Sequence, residues 1–226
     1  MTSLNPIFTI GDQICETILL HQNKTEDEAM ELTLEILKKV AIPSPEQRIN
    51  QYPHELSGGM KQRVMIAMSI VCNPSLLIAD EPTTALDVTI QAQILDLLNV
   101  LRNDTAMSIL LITHNLGIVA QYSDRVAVMY SGKIVEQASV EKIFASPSHP
   151  YTKGLINSLP KDEINEKLAT IPGTVPHPAF LPEGCAFHPR CPDKMNACEK
   201  TIPELQPLEN QANHQVACWL YHDSIS

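Results

Sequence analysis

Apolar positions change along the chain from a helical spacing near the N-terminus to short continuous runs further on. Over residues 26–40 they recur every three to four positions, which predicts an amphipathic helix capped by Thr25. Residues 76–79 and 108–113 are almost wholly apolar and flank a helical pattern over residues 88–101, as in two buried parallel strands joined by a helix. The predicted fold class is therefore α/β, a parallel sheet with helices on its faces.

Other segments predict a further helix, a hairpin and a loop-rich tail. Residues 57–71 have a helical pattern that an Asn-Pro pair stops. Residues 125–136 place two strand-like stretches around a Ser-Gly-Lys turn, which predicts a β-hairpin. Prolines become frequent beyond residue 146 and apolar residues become few. We therefore expect a loop-rich tail that is stabilised by something other than a large hydrophobic core, such as a cross-link or a metal site.

The charge balance and the length of the apolar runs argue against several classes of protein. The 226 residues carry 16 Lys and Arg against 26 Asp and Glu, a formal net charge of −10. This balance argues against nucleic acid as a partner, because phosphate contacts need a basic face. The apolar runs are shorter than the ~20 residues that cross a bilayer, and the first residues lack the basic and apolar regions of a secretory signal.

A glycine pair opens the predicted helix over residues 57–71. In Ser57-Gly58-Gly59 the glycines allow close approach, and the helix start presents backbone N–H groups and the positive end of the dipole. Such a site suits phosphate oxygens. A serine cap followed by flexible glycines is the alternative interpretation of the same residues.

Two adjacent carboxylates, Asp80 and Glu81, follow the first apolar run. Ligands of α/β sheets bind in the crevice beyond the carboxyl ends of the strands. One carboxylate could help to hold Mg²⁺, and its neighbour, on the other side of the pleat, could orient and deprotonate a water molecule. The alternative is a pair of solvated acids at a strand end.

Two further polar positions follow in the same region. Asp87 closes a tight turn over residues 84–87, and His114 stands at the end of the second apolar run. From there a histidine could reach a γ-phosphate or an attacking water, although many strand-end histidines are simple surface residues. The occurrence of all four segments, in this order within residues 56–114, favours nucleotide chemistry.

These segments resemble the motifs of ATP-binding-cassette (ABC) ATPases. Residues 56–63 are similar to the signature motif, residues 76–81 to the Walker B strand, residues 85–87 to the D-loop and His114 to the switch histidine. Three more segments resemble the dipeptide/oligopeptide/nickel importer subfamily, namely residues 1–6, 148–152 and 184–192. The resemblance implies a P-loop NTPase core with a helical subdomain and a cysteine-containing C-terminal extension.

The resemblance also implies roles for single residues. Glu81 would be the general base and His114 would contact the γ-phosphate, while Asp80 would help to hold Mg²⁺. Asp87 would communicate between two nucleotide sites. The residues expected to contribute to ATP binding are Ser57, Gly58, Gly59, Gln62, Asp80 and Asp87. Of these, the serine and the glycine pair would close over the ATP held by a partner subunit.

The 226 residues contain no G-x-x-x-x-G-K-[ST] sequence, the loop whose backbone and lysine hold the phosphates in such ATPases. We therefore expect the chain to correspond to the later two thirds of a subunit, beginning just after the Q-loop. A truncation, a misplaced start or a split gene would each produce that. Two hypotheses follow: an ATP-hydrolysing energy-coupling subunit, or a non-catalytic subunit that completes a partner's ATP site.

Four of the six cysteines, Cys185, Cys191, Cys198 and Cys218, lie in the tail. The absence of a secretory signal argues against a disulfide framework. The spacing lacks the short knuckle of zinc ribbons, so an iron–sulfur cluster, zinc and unligated thiols all stay open. The subfamily resemblance implies a four-iron cluster on these four thiols.

The expected organisation has three parts. Residues 1–55 form a helical subdomain that contacts a permease, residues 56–145 belong to the ATPase core, and residues 146–226 form the importer-type extension. The expected partners are a second ABC ATPase subunit, two integral-membrane permease subunits and, indirectly, a peptide-binding protein. The expected location is peripheral, on the cytoplasmic face of the cell membrane. The residues do not identify the solute.

Overall fold

The computed structural model describes residues 4–84, 86–159, 170–209 and 211–221. The chain divides into two compact units, Met1–His114 and Asn115–Ser226. Residues 1–3 of the importer-like start and Ala85 of the D-loop-like turn lie outside the described residues. The three-part organisation expected from the sequence concerns roles, and it stays a prediction.

Helices form the N-terminal part of the first unit. They are α1 (Ile10–His21), α2 (Glu26–Lys39), α3 (Pro45–Arg48), a 3₁₀ turn (Pro53–Glu55) and α4 (Gly58–Ile70). The predicted helix with its cap is confirmed, because Thr25 accepts a hydrogen bond from the Glu28 N–H and Glu28 bonds back to the cap backbone. Ile10, Ile14 and Ile18 place one face of α1 in a core that Leu37 of α2 also enters.

A strand–helix–strand unit completes the first unit. Strand β1 (Leu76–Asp80) pairs in parallel with β2 (Ser108–Ile112), and α5 (Val88–Thr105) connects them. Both strands and the helix follow the predicted pattern, with α5 extending past the predicted end. Leu77 and Ala79 are buried on one face of β1, so the alternation of the strand sends Asp80 to the opposite, exposed face.

The second unit contains a sheet of four antiparallel strands in the order β3-β4-β6-β5. Its elements are α6 (Leu116–Tyr122), β3 (Arg125–Tyr130), β4 (Lys133–Ser139), α7 (Val140–Ala145), α8 (Pro150–Asn157), a 3₁₀ turn (His188–Arg190), α9 (Asn196–Lys200), β5 (Gln206–Leu208) and β6 (Gln211–Val216). The predicted hairpin is confirmed as β3–β4.

The tail is more ordered than the sequence predicts. Strands β5 and β6 extend the hairpin into the larger sheet, which is antiparallel rather than parallel. Phe187 is almost completely buried and packs with Tyr130 and Tyr151, so the described part of the tail contributes to a real apolar core. The tail was expected to be rich in loops, and the two strands are the difference: pairing of β6 with β4 and of β5 with β6 supplies backbone partners that composition does not reveal. Among the described residues, no helix is long and apolar enough to cross a membrane.

Candidate functional site

Glu81 directly follows β1 and joins the ends of the two parallel strands. Its backbone N–H donates to the carbonyl of Ile112 at 2.9 Å, and its φ of 46° lies in the left-handed region. A non-glycine residue in this region carries strain, which is often found at functional sites. The sharp turn moves the Glu81 side chain off the line of β1 and towards the end of β2.

The Glu81 carboxylate contacts His114. Its Oε1 accepts from Nδ1 of the His114 ring at 2.6 Å and from the His114 backbone N–H at 3.1 Å. Thr84 donates its hydroxyl to Oε2 at 3.2 Å. The hydrogen bond from the His114 side chain holds the pKa of Glu81 below its ordinary value, which keeps this carboxylate ionised.

The ring geometry fixes what His114 can offer a ligand. A carboxylate only accepts, so Nδ1 carries the hydrogen and Nε2 is free to face solvent; the His114 side chain is 85% exposed. In the neutral ring Nε2 would accept a hydrogen bond. Donation from Nε2 to a phosphate oxygen therefore requires the protonated ring while the contact with Glu81 persists.

Asp80 and Gln62 line one open groove of about 420 Å³ in the first unit, together with Ile78 and Pro82. Asp80 is exposed there, and a single carboxylate is the kind of ligand with which Mg²⁺ binds when phosphates and water complete its shell. The structure thus brings together Glu81 with His114, and Asp80 with Gln62.

The glycine pair lies at the start of α4. Ser57 caps the helix by accepting from the Met60 N–H at 3.3 Å. A Cβ on Gly59 would lie 2.8 Å from Cγ2 of Ile90 on α5, so packing alone requires glycine at this position. The cap and the phosphate-binding interpretation are compatible, since the free N–H groups of the first turn still face outward.

Asp87 is exposed and caps α5 by accepting from the Ile90 N–H at 2.9 Å. This capping role was not predicted from the sequence, although Asp before a helical pattern is its usual signal. The contact of Thr84 with the second oxygen of Glu81 was not predicted either. The position of Thr84, three residues after Glu81, is the feature of the sequence that could have indicated this contact.

One face of the β1–β2 pair is apolar and exposed. Leu76 and Ile78 of β1 and Leu110 and Ile112 of β2 are all exposed on it. Parallel sheets in α/β proteins are covered on both faces. The face is therefore suited to packing against further apolar secondary structure.

The four tail cysteines carry free thiols, of which Cys198 and Cys218 are buried. Burial, with smaller contributions from the other three thiols, raises the pKa of Cys218 to about 12. Their donor chemistry suits a cluster or zinc. Across the described ranges, however, no three or more His, Cys, Asp or Glu side chains are arranged to hold a metal ion.

Two known families match the chain. The family described as "ABC transporter" matches residues 2–84, and the one described as "Oligopeptide/dipeptide transporter, C-terminal region" matches residues 135–198. Solved structures with a similar fold include the ATP-binding cassette MJ0796, in a dimeric post-hydrolysis state bound to ADP and Pi (26% identity, TM-score 0.54, covering 61% of this chain and 59% of that one). Another is cbiO1 from Clostridium perfringens, part of the ABC transporter complex cbiONQ (30% identity, TM-score 0.56, covering 64% and 55%). The fold and these matches define an ABC-type ATPase.

Proteins with similar sequences indicate the group of ABC ATPases to which the chain belongs. A putative peptide import ATP-binding protein of Brucella ovis is 52% identical over 97% of this chain and 67% of its own length. The oligopeptide transport ATP-binding protein AppD of Bacillus subtilis is 52% identical over 99% and 68%, and the dipeptide transport ATP-binding protein DppD of the same species is 50% identical over 97% and 65%. The chain thus spans about two thirds of the length of these relatives. It belongs to the ABC transporter ATPases, in their oligopeptide/dipeptide group.

Proposed function

We propose that this chain is an energy-coupling ATPase subunit of a peptide importer, in which Glu81 activates the water that attacks ATP. The observation that carries the proposal is the contact between Glu81 and His114 at the joined ends of β1 and β2. An ionised carboxylate held by a neighbouring histidine can accept the water's proton, and the exposed Nε2 of His114 would donate to the γ-phosphate when the ring is protonated. Mg²⁺, held in part by Asp80, would neutralise charge on the phosphates.

Peptide uptake tests this function. The phosphate-loop segment of AppD is joined ahead of this chain to give a complete ATPase, called the completed ATPase below. We expect it to restore uptake of labelled peptides in a bacterium that lacks the ATPase subunit of its peptide importer. The Glu81→Gln variant should not restore uptake. Failure of the unaltered completed ATPase, when AppD itself succeeds, would contradict the proposal.

Two such subunits would act as a pair, with Ser57, Gly58 and Gly59 of one closing over the ATP of the other. The start of α4 supports this arrangement, because Ser57 is exposed, both glycines are half-buried, and the N–H groups of a helix start suit phosphate oxygens. The second candidate function is a non-catalytic subunit that only completes the partner's site. The exposed Ser57 cap at the start of α4 supports this second candidate as well, because that role does not require hydrolysis by this chain.

The apolar face of the β1–β2 pair supports a proposal about how the nucleotide site is completed. We infer that the segment which supplies the phosphate loop packs on Leu76, Ile78, Leu110 and Ile112, since a parallel sheet is stable when both faces are covered. The face lies next to the exposed Asp80, so this packing would bring bound phosphates to the Mg²⁺ ligand.

Residues 1–55 would contact the membrane permease, and the complex would lie on the cytoplasmic face of the membrane. A groove of about 410 Å³ between α1 and α2 supports this role, with Leu19, Leu20 and Met30 exposed in it and Glu16 and Glu26 on its edge. An apolar groove with acidic edges fits a short permease helix that carries apolar and basic side chains.

The four tail thiols would hold one four-iron, four-sulfur cluster, the Cys₄ arrangement of such centres. Two observations support it: the Cys185 N–H donates to the Cys198 carbonyl at 2.8 Å, which brings two of these residues together, and none of the six cysteines forms a disulfide. Protein prepared without oxygen should be brown, and serine at any of the four should bleach it. A colourless preparation with one zinc per chain would favour zinc instead.

A further inference from the structure

Glu136 on β4 is a wholly buried carboxylate that the ATP site does not use. Its Oε1 accepts from the Ser148 N–H at 2.7 Å and from Nε2 of His214 at 2.7 Å, and its Oε2 accepts from the His149 N–H at 2.9 Å. A buried charge is strongly destabilising unless hydrogen bonds surround it. Glu136 therefore ties two separate segments of the second unit, residues 148–149 and β6, to β4.

The hydrogen-bond donors around Glu136 require a carboxylate at this position. Both oxygens receive a backbone N–H, so the amide nitrogen of a glutamine would face a donor on one side. His149 fits the same environment, because burial lowers its pKa to about 4 and its neutral Nδ1 accepts from the Tyr151 N–H at the start of α8. These bonds attach the Ser148–His149 segment to β4.

His214 connects Glu136 to the end of β6. Glu136 pairs with Val216 in the sheet, and His214 lies two residues before Val216, so their side chains share one buried face. The Ala217 N–H still bonds to the Val135 carbonyl at 2.9 Å. Cys218 is the next residue, and it leaves the sheet at the point that the Glu136–His214 contact fixes.

A second set of hydrogen bonds connects the residue after Cys218 to the helix that carries Cys198. The indole N–H of Trp219 donates to the Thr201 carbonyl at 3.1 Å, and the Thr201 N–H donates to the Ala197 carbonyl and so caps the end of α9. Helix α9 carries Cys198, whose carbonyl accepts from the Cys185 N–H at 2.8 Å. Cys218 is thus held from the β6 side and from the α9 side.

We propose that Glu136 and His214 are positioning residues for the Cys218 thiol, which hold the end of β6 so that this thiol stays buried. The proposal concerns the metal-free chain. It is therefore independent of which metal, if any, the thiols bind.

The test measures how fast iodoacetamide alkylates each cysteine of the native chain, by mass spectrometry. In Glu136→Gln we expect alkylation of Cys218 to accelerate by about tenfold or more, the change that loss of a charge-assisted hydrogen bond produces in a local opening equilibrium. Cys15 and Cys72, in the first unit, should react at unchanged rates. The exposed Glu141→Gln is the matched control and should leave all rates unchanged.

Two variants of His214 keep the test decisive if Glu136→Gln does not fold. His214→Gln retains an N–H donor for Glu136, and His214→Leu removes it. We expect His214→Gln to protect Cys218 far better than His214→Leu, with a matching shift in the fluorescence of Trp219, the single tryptophan. Equal Cys218 rates in His214→Leu, His214→Gln and the unaltered chain would overturn the proposal.

Discussion

At the scale of single residues, the contact between Glu81 and His114 determines the state of the proposed base. The hydrogen bond from His114 lowers the pKa of Glu81, so the ionised form is favoured in the folded chain. A depressed carboxyl pKa contributes stability above the unfolded value of about 4.3, and that stability is lost as pH falls through the lower folded value.

Removal of the ring should reverse this effect. In His114→Ala we expect the pKa of Glu81 to rise towards its ordinary value, as measured by NMR titration of the side-chain carboxyl carbon. Glu28 provides an internal control, because its pKa is lowered through the Thr25 cap and is independent of His114. An unchanged Glu81 pKa beside an unchanged Glu28 would contradict the assigned contact.

The proximity of Glu81 and His114 could be predicted from the sequence alone. Parallel strands end at the same edge of a sheet, so two polar residues that follow successive apolar runs are expected to be neighbours. No comparable pattern in the sequence predicts the burial of Glu136. A glutamate in a strand ordinarily faces solvent, and only the return of residues 148–149 and 214 to the same point makes its burial favourable.

At the scale of elements, the packing of α4 on α5 depends on Gly59. A methyl group there would lie 2.8 Å from Cγ2 of Ile90, and α4 or α5 would have to shift. We expect Gly59→Ala to lower the free energy of unfolding by about 1–3 kcal/mol, measured by urea denaturation.

A double-mutant cycle separates this clash from a loss of helix stability. In an Ile90→Ala background the obstructing atoms are gone, and alanine favours a helix more than glycine does, so Gly59→Ala should then be neutral or stabilising. An equal cost in both backgrounds would show that the contact with Ile90 is not the cause.

The elements that the sequence predicted best are those with long, regular patterns. Helices α2 and α5 and strands β1 and β2 have continuous apolar or helical spacing and appear where expected. Strands β5 and β6 were missed because they are short and polar and β5 contains Pro207. Their stability comes from pairing, of β6 with β4 and of β5 with β6, rather than from their own sequence.

At the scale of the whole molecule, the proposed pairing of two subunits can be tested with mixed dimers of the completed ATPase. If Ser57 serves the partner's ATP, Ser57→Arg in one subunit and Glu81→Gln in the other disable the same site and leave the second intact. Both changes in one subunit would disable both sites. We therefore expect about half of the ATPase activity in the first dimer and almost none in the second; the reverse would show that Ser57 serves its own subunit's ATP.

The central claim is that Glu81 is the general base, and its most direct measurement compares ATP hydrolysis with ATP binding in the completed ATPase. Glutamine keeps the size of the side chain but cannot take the water's proton, so Glu81→Gln should slow hydrolysis by ~10²–10⁴-fold. ATP affinity should stay nearly unchanged, and the exposed control Glu31→Gln should behave like the unaltered protein. Hydrolysis by Glu81→Gln at the unaltered rate, with ATP bound equally well, would contradict the account.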